Sequence, residues 1–351
     1  MSREARVLIV DDSPFIRRAV ERMLAPLEEV RIVGTAANGR EAVEQARRLR
    51  PDVVVLDIIM PEMNGLEAIK GIMEEAPTSI LVLSSEAQPG ADTTLRALEL
   101  GAVDFVSKSG AASRMDIYDL APVLREKVLA LAGSRVAPDT SLTGPDTPPA
   151  PLPDVGRPEP TFEILAVGAS TGGPRAITRL ISDLPVNFPA GIVVAQHMPP
   201  GFTDTLAERL DRRSPLTVRE ARDGDRVEPG VVLLGEGGKQ LCVERDDRGL
   251  FIRIPEEGGQ FLHRPSVDHL FQSVAKAAGE RAMGLVLTGM GQDGKVGLQA
   301  IREAGGFTMV ESEESAVIYG MPRAALPSAD RSLPLDQIGP AIRDILEGKG
   351  N

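Results

Sequence analysis

A proline-rich stretch in the middle of the sequence constrains the fold more than any other feature. Residues Gly133 to Pro160 read GSRVAPDTSLTGPDTPPAPLPDVGRPEP, with no hydrophobic period and with prolines that exclude a helix or a central strand. A segment of this kind is semi-extended and spaces two folded bodies. Because 351 residues suffice for about two domains of roughly 150 residues, we predict domains at 1–132 and 161–349 joined by a linker at 133–160.

Short β-branched runs alternate with amphipathic stretches on both sides of this linker, a pattern typical of parallel sheets covered by helices. The first domain has five such runs, which predict a five-stranded parallel sheet: Val7–Val10, Arg31–Thr35, Val53–Leu56, Ile80–Leu83 and Val103–Val106. The second has the runs Ile164–Val167, Ile192–Ala195, Val231–Leu234 and Leu285–Leu287, with helical stretches at Pro174–Ile181, Phe202–Leu210, Val267–Ala278 and Val296–Ala304. They predict a three-layer α/β/α domain with a mainly parallel sheet. Alternating apolar residues in Cys242–Ile254 predict an inserted hairpin.

Composition excludes several classes of function. The formal net charge of -12 and the absence of Trp disfavour a nucleic-acid partner, because such partners are bound by cationic contacts and aromatic stacking. The longest stretch without charge, Leu184–Thr203, contains four prolines, which a membrane helix would not accept. The first residues lack the pattern of a secretion signal, and one cysteine, Cys242, suits a reducing compartment. We expect a cytoplasmic monomer with no membrane insertion.

Acidic and polar side chains follow four of the five strands predicted in the first domain. Asp11 and Asp12 follow strand one, Asp57 ends strand three, Ser84 ends strand four and Lys108 follows strand five. The carboxyl ends of parallel strands share one edge of the sheet, where clustered carboxylates favour a hard cation such as Mg²⁺. An aspartate after a strand is most often a helix cap or a turn residue, but five such residues at one edge predict a phosphoacceptor site.

This half resembles the response-regulator receiver family over about residues 5–131, on the motifs VDD, LDIIMPEMNG, VLSS and FVSK. The resemblance implies a flavodoxin-like fold in which a histidine kinase phosphorylates Asp57. It also implies Mg²⁺ ligands at Asp11, Asp12, Asp57 and the Ile59 carbonyl, and a phosphoryl-binding and switch set of Ser84, Lys108 and Phe105. The family usually has proline after this lysine, with a cis peptide bond before the proline. Ser109 follows Lys108 here, which argues against a cis bond at this position.

A serine, a histidine and an aspartate follow three strands of the second domain. Ser170 lies in GASTG between a strand and a helix, His197 lies in AQHMP after the next strand, and Asp293 lies in TGMGQDG after a third. A glycine-rich turn or a phosphate-binding loop would also explain the first motif. Brought to one edge, the three residues form a nucleophile, a base and an orienting acid. Their order along the chain differs from that of the common α/β-hydrolases, so another α/β sheet must carry them.

These residues, together with HRPSVD at 263–268, resemble the catalytic domain of the chemotaxis protein-glutamate methylesterases over about Phe162–Glu347. The resemblance implies demethylation, and in many members deamidation, of methyl-accepting chemoreceptors, with no cofactor in the catalytic domain and a chemotaxis histidine kinase as phosphodonor. Its roles are nucleophile for Ser170, base for His197 and acid for Asp293, with Thr171 beside the nucleophile and an oxyanion amide from Met290.

The sequence departs from this family at one loop. Residues 235–240 read GEGGKQ where the family tends to have APGGRH. Gln240 stands at the position of the histidine that ends the family motif, so we expect any role of that histidine to be absent here. At the position of Gln292 the family often has Asn. His263 belongs to the resembling motif, which makes it a candidate substrate-wall residue, whereas His269 is predicted to be a helix-surface or core residue beside a cap at Ser266.

Two other functions compete with a phosphorylation-activated ester hydrolase. The altered loop at 235–240 leaves open a phosphorylation-dependent adaptor with a degenerate hydrolase domain, although Ser170, His197 and Asp293 are intact. A DNA-binding response regulator would need a basic recognition helix after the linker, and the sequence has none.

Overall fold

The computed structural model describes residues 4–84, 88–108, 116–133, 162–256 and 261–346. The chain forms two compact units, Met1–Thr140 and Ser141–Asn351, each with a parallel sheet of its own. The division between them falls inside the predicted linker. The linker residues 134–160, Ser109 and the predicted domain end at 347–349 lie outside the described residues.

The first unit is a five-stranded parallel sheet with the flavodoxin-like strand order, as predicted. Its strands are β1 (Ala5–Val10), β2 (Val30–Ala36), β3 (Val53–Asp57), β4 (Ser79–Ser84) and β5 (Asp104–Ser107), in the sheet order β2–β1–β3–β4–β5. Its helices are α1 (Pro14–Leu24), α2 (Gly39–Leu49), α3 (Gly65–Glu75), α4 (Gln88–Glu99) and α5 (Ala121–Ala132).

Burial and capping explain why these residues form these elements. The four apolar residues Val53–Leu56 of β3 are fully buried, as expected of a central strand covered on both faces. Ser13 and Asn38 cap α1 and α2 by accepting backbone N–H hydrogen bonds. Asn64 and Glu67 form a capping box at α3. Helices therefore begin directly after the strand ends that carry the acidic residues.

The second unit is a three-layer α/β/α structure on a seven-stranded sheet that is parallel throughout. Its sheet strands are β6 (Ile164–Ala169), β7 (Gly191–Gln196), β8 (Thr217–Glu220), β9 (Val231–Leu234), β12 (Ala282–Val286), β13 (Phe307–Glu311) and β14 (Arg331–Leu333), in the order β14–β13–β12–β6–β7–β9–β8. The predicted hairpin is confirmed as β10 (Cys242–Asp246) and β11 (Gly249–Arg253). The helices are α6 (Gly173–Ser182), α7 (Thr203–Asp211), α8 (Val267–Ala278), α9 (Lys295–Glu303), α10 (Met321–Ala325) and α11 (Leu335–Leu346).

The main core of this unit lies between one face of the sheet and the layer formed by α8, α9 and the hairpin. Ile164 and Ala166 of β6 are buried there together with Phe271 of α8 and Ile252 of β11. Among the remaining helices of this unit, α6 packs against α11. Since β6, β7 and β12 are neighbouring parallel strands, the loops after them meet at one edge, where the predicted catalytic residues lie.

No helix within the described ranges is long and apolar enough to cross a membrane.

Candidate functional site

Ser170 lies on a tight turn between β6 and α6. Its backbone N–H donates to the Thr288 carbonyl at 3.0 Å, and its own carbonyl accepts from Gly173 N–H at 2.8 Å. Gly172 has φ +81, a conformation that favours glycine, and a Cβ there would lie 3.0 Å from Val317 Cβ. The turn therefore holds a half-buried serine beside the first N–H groups of a helix.

Gln196, at the end of β7, ties this turn to His197. Its buried side-chain amide donates to the carbonyls of Ser170 and His197, both at 3.0 Å. A Cβ at Gly173 would collide with the Gln196 side chain, so glycine is needed where α6 begins. The sequence reasoning missed Gln196. Its signal was a polar residue at the end of an apolar strand, directly before a candidate base.

His197 and Asp293 are in direct contact. His197 Nε2 lies 2.8 Å from Asp293 Oδ2, with the two side chains 10% and 9% exposed. The carboxylate also accepts hydrogen bonds from the Ser266 hydroxyl and from the backbone N–H groups of Val267, Asp268 and Gly294. Burial would raise the pKa of Asp293, but the hydrogen bonds from His197 and from these N–H groups hold it at about 2. Asp293 is therefore an ionised acceptor at the N-terminus of α8.

His263 stacks on the ring of His197, with ring centroids 4.1 Å apart and planes 20° apart. Burial lowers the pKa of His263, and the neighbouring His197 lowers it further against the opposing effect of Asp293. His263 is thus favoured as a neutral ring that covers one face of His197. The sequence motif contained His263 but gave no sign of this stacking.

Gln240, which stands where the family tends to have a histidine, has a structural role of its own that was not predicted. It is 2% exposed, donates from Nε2 to the His263 carbonyl at 2.7 Å and accepts the Ser266 N–H at 2.9 Å. A glutamine amide can serve both partners because it carries a donor and an acceptor. The loop at 235–240 therefore fixes the segment that supplies His263 and the cap of α8.

His269 is a half-buried residue of α8, as predicted. Its ring stacks on Phe261 at 4.5 Å, and its Nε2 lies 3.3 Å from Cys242 Sγ. Burial raises the pKa of the Cys242 thiol to about 11, which keeps this sulfur protonated and a poor nucleophile. The predicted cap at Ser266 is confirmed, since its hydroxyl accepts from His269 N–H.

Thr288 connects the Ser170 turn to the loop that carries Met290 and Asp293. Its hydroxyl donates to the carbonyl of the buried Thr171 at 2.9 Å. The next residue approaches the turn so closely that a Cβ on Gly289 would lie 2.9 Å from Ser170 Cβ. Met290, half-buried, follows this contact, so its backbone enters the Ser170 region.

Glu311 supports Thr288 from the end of β13. Its carboxylate is 1% exposed and accepts from Thr288 N–H and from the Ser315 hydroxyl, both at 2.8 Å. Burial raises the pKa of Glu311 to about 7, and these two hydrogen bonds offset it only in part. A buried carboxyl group that titrates near neutrality thus accepts the Thr288 N–H, and the Thr288 carbonyl in turn accepts the Ser170 N–H. The sequence reasoning did not find it.

The acidic edge of the first unit brings four of the predicted residues together. Carboxylate oxygens of Asp11, Asp12 and Asp57 lie within 4.8 Å of one another. Lys108 Nζ lies 3.0 Å from Asp57 Oδ1 and 3.3 Å from Asp11 Oδ2. Burial raises the pKa of Asp11 and of Asp57, and Lys108 lowers both. Three close oxygen donors, two of them on carboxyl groups whose burial opposes ionisation, are suited to a hard divalent cation.

The remaining predicted residues of this unit lie around that edge. The Ser84 hydroxyl is hydrogen-bonded to the Thr94 hydroxyl, and the Ser84 carbonyl accepts from Lys108 N–H at 2.6 Å. Phe105 is buried in β5. The Ile59 side chain is 73% exposed on the loop that follows Asp57.

Residues 165–342 match the family described as CheB methylesterase, and residues 7–117 match the response regulator receiver domain. A protein-glutamate methylesterase/protein-glutamine glutaminase of Bdellovibrio bacteriovorus is 40% identical, with 96% of each chain covered. A protein of the same description, numbered 3, from Geobacter sulfurreducens is 41% identical, covering 99% of this chain and 98% of its own. The Thermotoga maritima CheB methylesterase catalytic domain is 39% identical with a TM-score of 0.51, covering 52% of this chain and 98% of its own.

Proposed function

Because the chain belongs to the CheB methylesterase family and also carries a receiver domain, we propose that it demethylates glutamate methyl esters on chemoreceptors under the control of phosphorylation. Membership makes the chain a carboxylic ester hydrolase. Its substrate, its control and the roles of its residues are the proposal. The contact between His197 Nε2 and Asp293 Oδ2 at 2.8 Å, next to the Ser170 turn, carries it.

Acylation begins with attack by Ser170 Oγ on the carbonyl carbon of the ester. Asp293 holds the Nε2–H of His197, so Nδ1 is the nitrogen that takes the serine proton. When the tetrahedral intermediate collapses, the bond to the methoxy oxygen breaks and His197 gives the proton to departing methanol. Stacking by the neutral ring of His263 supports the orientation of His197 throughout.

Deacylation repeats these steps with water. His197 takes a proton from the attacking water, the hydroxide forms the second tetrahedral intermediate, and the proton returns to Ser170 Oγ as free glutamate leaves. With a glutamine side chain the first leaving group is ammonia, so the same site supports deamidation.

We assign the oxyanion donor to the backbone N–H of Met290, with Thr171 completing the turn. The approach of Gly289 to Ser170 Cβ and the hydrogen bond from Thr288 to Thr171 support this assignment. Donors fixed by the fold need no reorganisation when charge develops on the carbonyl oxygen, which is the main advantage of an oxyanion site.

In the receiver domain we assign phosphate acceptance to Asp57. Asp11, Asp12, Asp57 and the Ile59 carbonyl would hold Mg²⁺, whose positive charge, when bound, offsets the negative charge that gathers on the phosphoryl oxygens. Lys108, already 3.0 Å from Asp57, would contact the phosphoryl group directly. Ser84 and Phe105, on neighbouring strands of this edge, are the residues that we expect to rearrange around the added charge.

The proposal places the enzyme in the cytoplasm as a monomer, with a chemotaxis histidine kinase as phosphodonor and no nucleic-acid partner. A phosphorylation-dependent adaptor with a degenerate hydrolase domain was motivated by the altered loop at 235–240. The two hydrogen bonds of Gln240 and the pairing of His197 with Asp293 support the hydrolase over the adaptor.

Methanol release from methylated receptor membranes, measured with and without a small phosphodonor and Mg²⁺, tests this function. The wild-type chain should release methanol faster with the phosphodonor, and Ser170→Ala should release almost none. Ser182→Ala is the matched control, because this serine lies in α6 of the same unit and its hydroxyl donates to the Thr178 carbonyl. Methanol release by Ser170→Ala at the rate of Ser182→Ala would contradict the proposal.

A further inference from the structure

An open groove of about 630 Å³ lies directly beside the loop that holds Met290 and Asp293. Its walls come from that loop, from the start of α9, from α10 and from the turn after it. The residues that line it include Gly291, Gln292, Lys295, Arg323 and Pro327. None of these five side chains takes part in the proposed ester hydrolysis. Because Gly291 and Gln292, which line the groove, lie between Met290 and Asp293 in the chain, a ligand in the groove would lie next to the reaction site.

Two unpaired cations face this groove. Lys295 and Arg323 are both exposed, and neither side chain forms an ion pair with a carboxylate in the part of the chain that the structure describes. By contrast, Arg302 on the same helix as Lys295 lies 3.7 Å from Asp330. In a chain with a formal net charge of -12, two free cations in one groove favour a negatively charged ligand.

Apolar side chains lie next to these cations in sequence. Val296 follows Lys295 and is 53% exposed, and Leu326 precedes Pro327 and is 40% exposed. Large apolar residues left exposed near a groove favour a polypeptide over a small ion, because they offer contact area for side chains. The lining itself includes Ala324 and Pro327 beside the two cations, so the groove carries apolar as well as basic side chains.

We propose that this groove binds an acidic stretch of the substrate polypeptide next to the reacting glutamate ester, with Lys295 and Arg323 contacting its carboxylates. The inference rests on the proposed function and adds a determinant of specificity. A polypeptide that carries esterified glutamates also carries unesterified ones, and each turnover adds another carboxylate. Gly291 and Gln292, which line the groove and separate Met290 from Asp293, connect the two sites.

Two peptides of equal length test the inference with the full chain in the presence of phosphodonor. Each contains one glutamate methyl ester, flanked by glutamates in the acidic peptide and by glutamines in the neutral peptide. The wild-type chain should prefer the acidic peptide in kcat/KM, and this preference should fall as salt is added because exposed charges are screened. The variant Lys295→Gln with Arg323→Gln should raise KM for the acidic peptide about three- to tenfold, with a small effect on kcat.

Lys276→Gln is the matched control, since Lys276 is an exposed lysine of α8 in the same unit outside the groove. It should keep both the preference and its salt dependence. Replacing Lys295 and Arg323 together by glutamate should reverse the preference toward the neutral peptide. Hydrolysis of both peptides with the same preference in the wild type and in both groove variants would overturn the inference alone. No methanol from either peptide with the wild-type chain would overturn the proposed function, and the inference with it.

Discussion

The stability of the Glu311→Gln variant relative to the wild-type chain should increase with pH. The reason is that the wild-type second unit loses stability as Glu311 ionises, whereas the variant does not. Glu311 is 1% exposed, and its two hydrogen-bond donors are the Thr288 N–H and the Ser315 hydroxyl. Burial raises its pKa from the ordinary value of 4.5 to about 7. An amide at this position would keep an acceptor for the Thr288 N–H and would never ionise.

The sign follows from proton binding. Between pH 4.5 and about 7 the folded chain keeps the Glu311 proton while the unfolded chain has lost it, so stability decreases as the pH rises. Below 4.5 both states hold the proton, and above about 7 both have lost it. Integrated from pH 5 to pH 8, ionisation at this one site removes roughly 2 to 3 kcal/mol from the free energy of unfolding.

Differential scanning calorimetry of the full chain measures this effect, because two units with separate cores are expected to give separate transitions. For a unit of this size 1 kcal/mol corresponds to about 2 to 4 °C, so the Tm of Glu311→Gln minus that of the wild type should increase by about 5 to 10 °C between pH 5 and pH 8. Glu314→Gln, an exposed neighbour, should show no such change. An equal Tm difference at both pH values would mean that Glu311 does not hold its proton in the folded chain above pH 5.

Three further substitutions have defined outcomes. Asp293→Asn should lower kcat about 10³- to 10⁴-fold in methanol release, because an amide does not hold the required tautomer of His197. Asp57→Asn should prevent labelling by a small phosphodonor in Mg²⁺, whereas the exposed Asp119→Asn should label like the wild type. Gln240→Ala leaves the Ser266 N–H without its acceptor, so it should cost roughly 1 to 3 kcal/mol in denaturant unfolding and reduce kcat. Unchanged stability would mean that another group replaces the amide.

Most strands that the sequence predicted have mostly buried side chains, although the predicted β2 is half-exposed and the buried β13 was not predicted. The run VVVLD of β3 and the run ILAVGA of β6 are apolar because central parallel strands are covered on both faces. In contrast, β8 reads TVRE and β14 reads RSL, and both are half-exposed edge strands. Such short polar runs do not differ from loops in sequence, so pairing to β9 and β13 determines them.

The candidate site shows the same division between local and long-range information. The positions of Ser170, His197 and Asp293 follow from strand ends, which the sequence makes visible. The residues that orient them do not, because Gln196 reaches Ser170 across 26 positions and Gln240 reaches Ser266 across 26. Glu311 reads in the sequence as an acidic residue at the end of a strand, and only its burial distinguishes it from a solvated one. The stacking of His263 on His197 likewise depends on the loop that Gln240 fixes.

The central claim is that Ser170 forms a covalent acyl intermediate activated by His197 and Asp293. Acid quenching of the phosphorylated chain during its first turnovers on a glutamate methyl ester peptide, followed by mass spectrometry, tests it most directly. We expect an adduct of the peptide acyl group on Ser170, absent in Ser170→Ala and greatly reduced in His197→Ala, with one methanol released per adduct formed. Continued methanol release by Ser170→Ala, or an adduct on another residue, would contradict it.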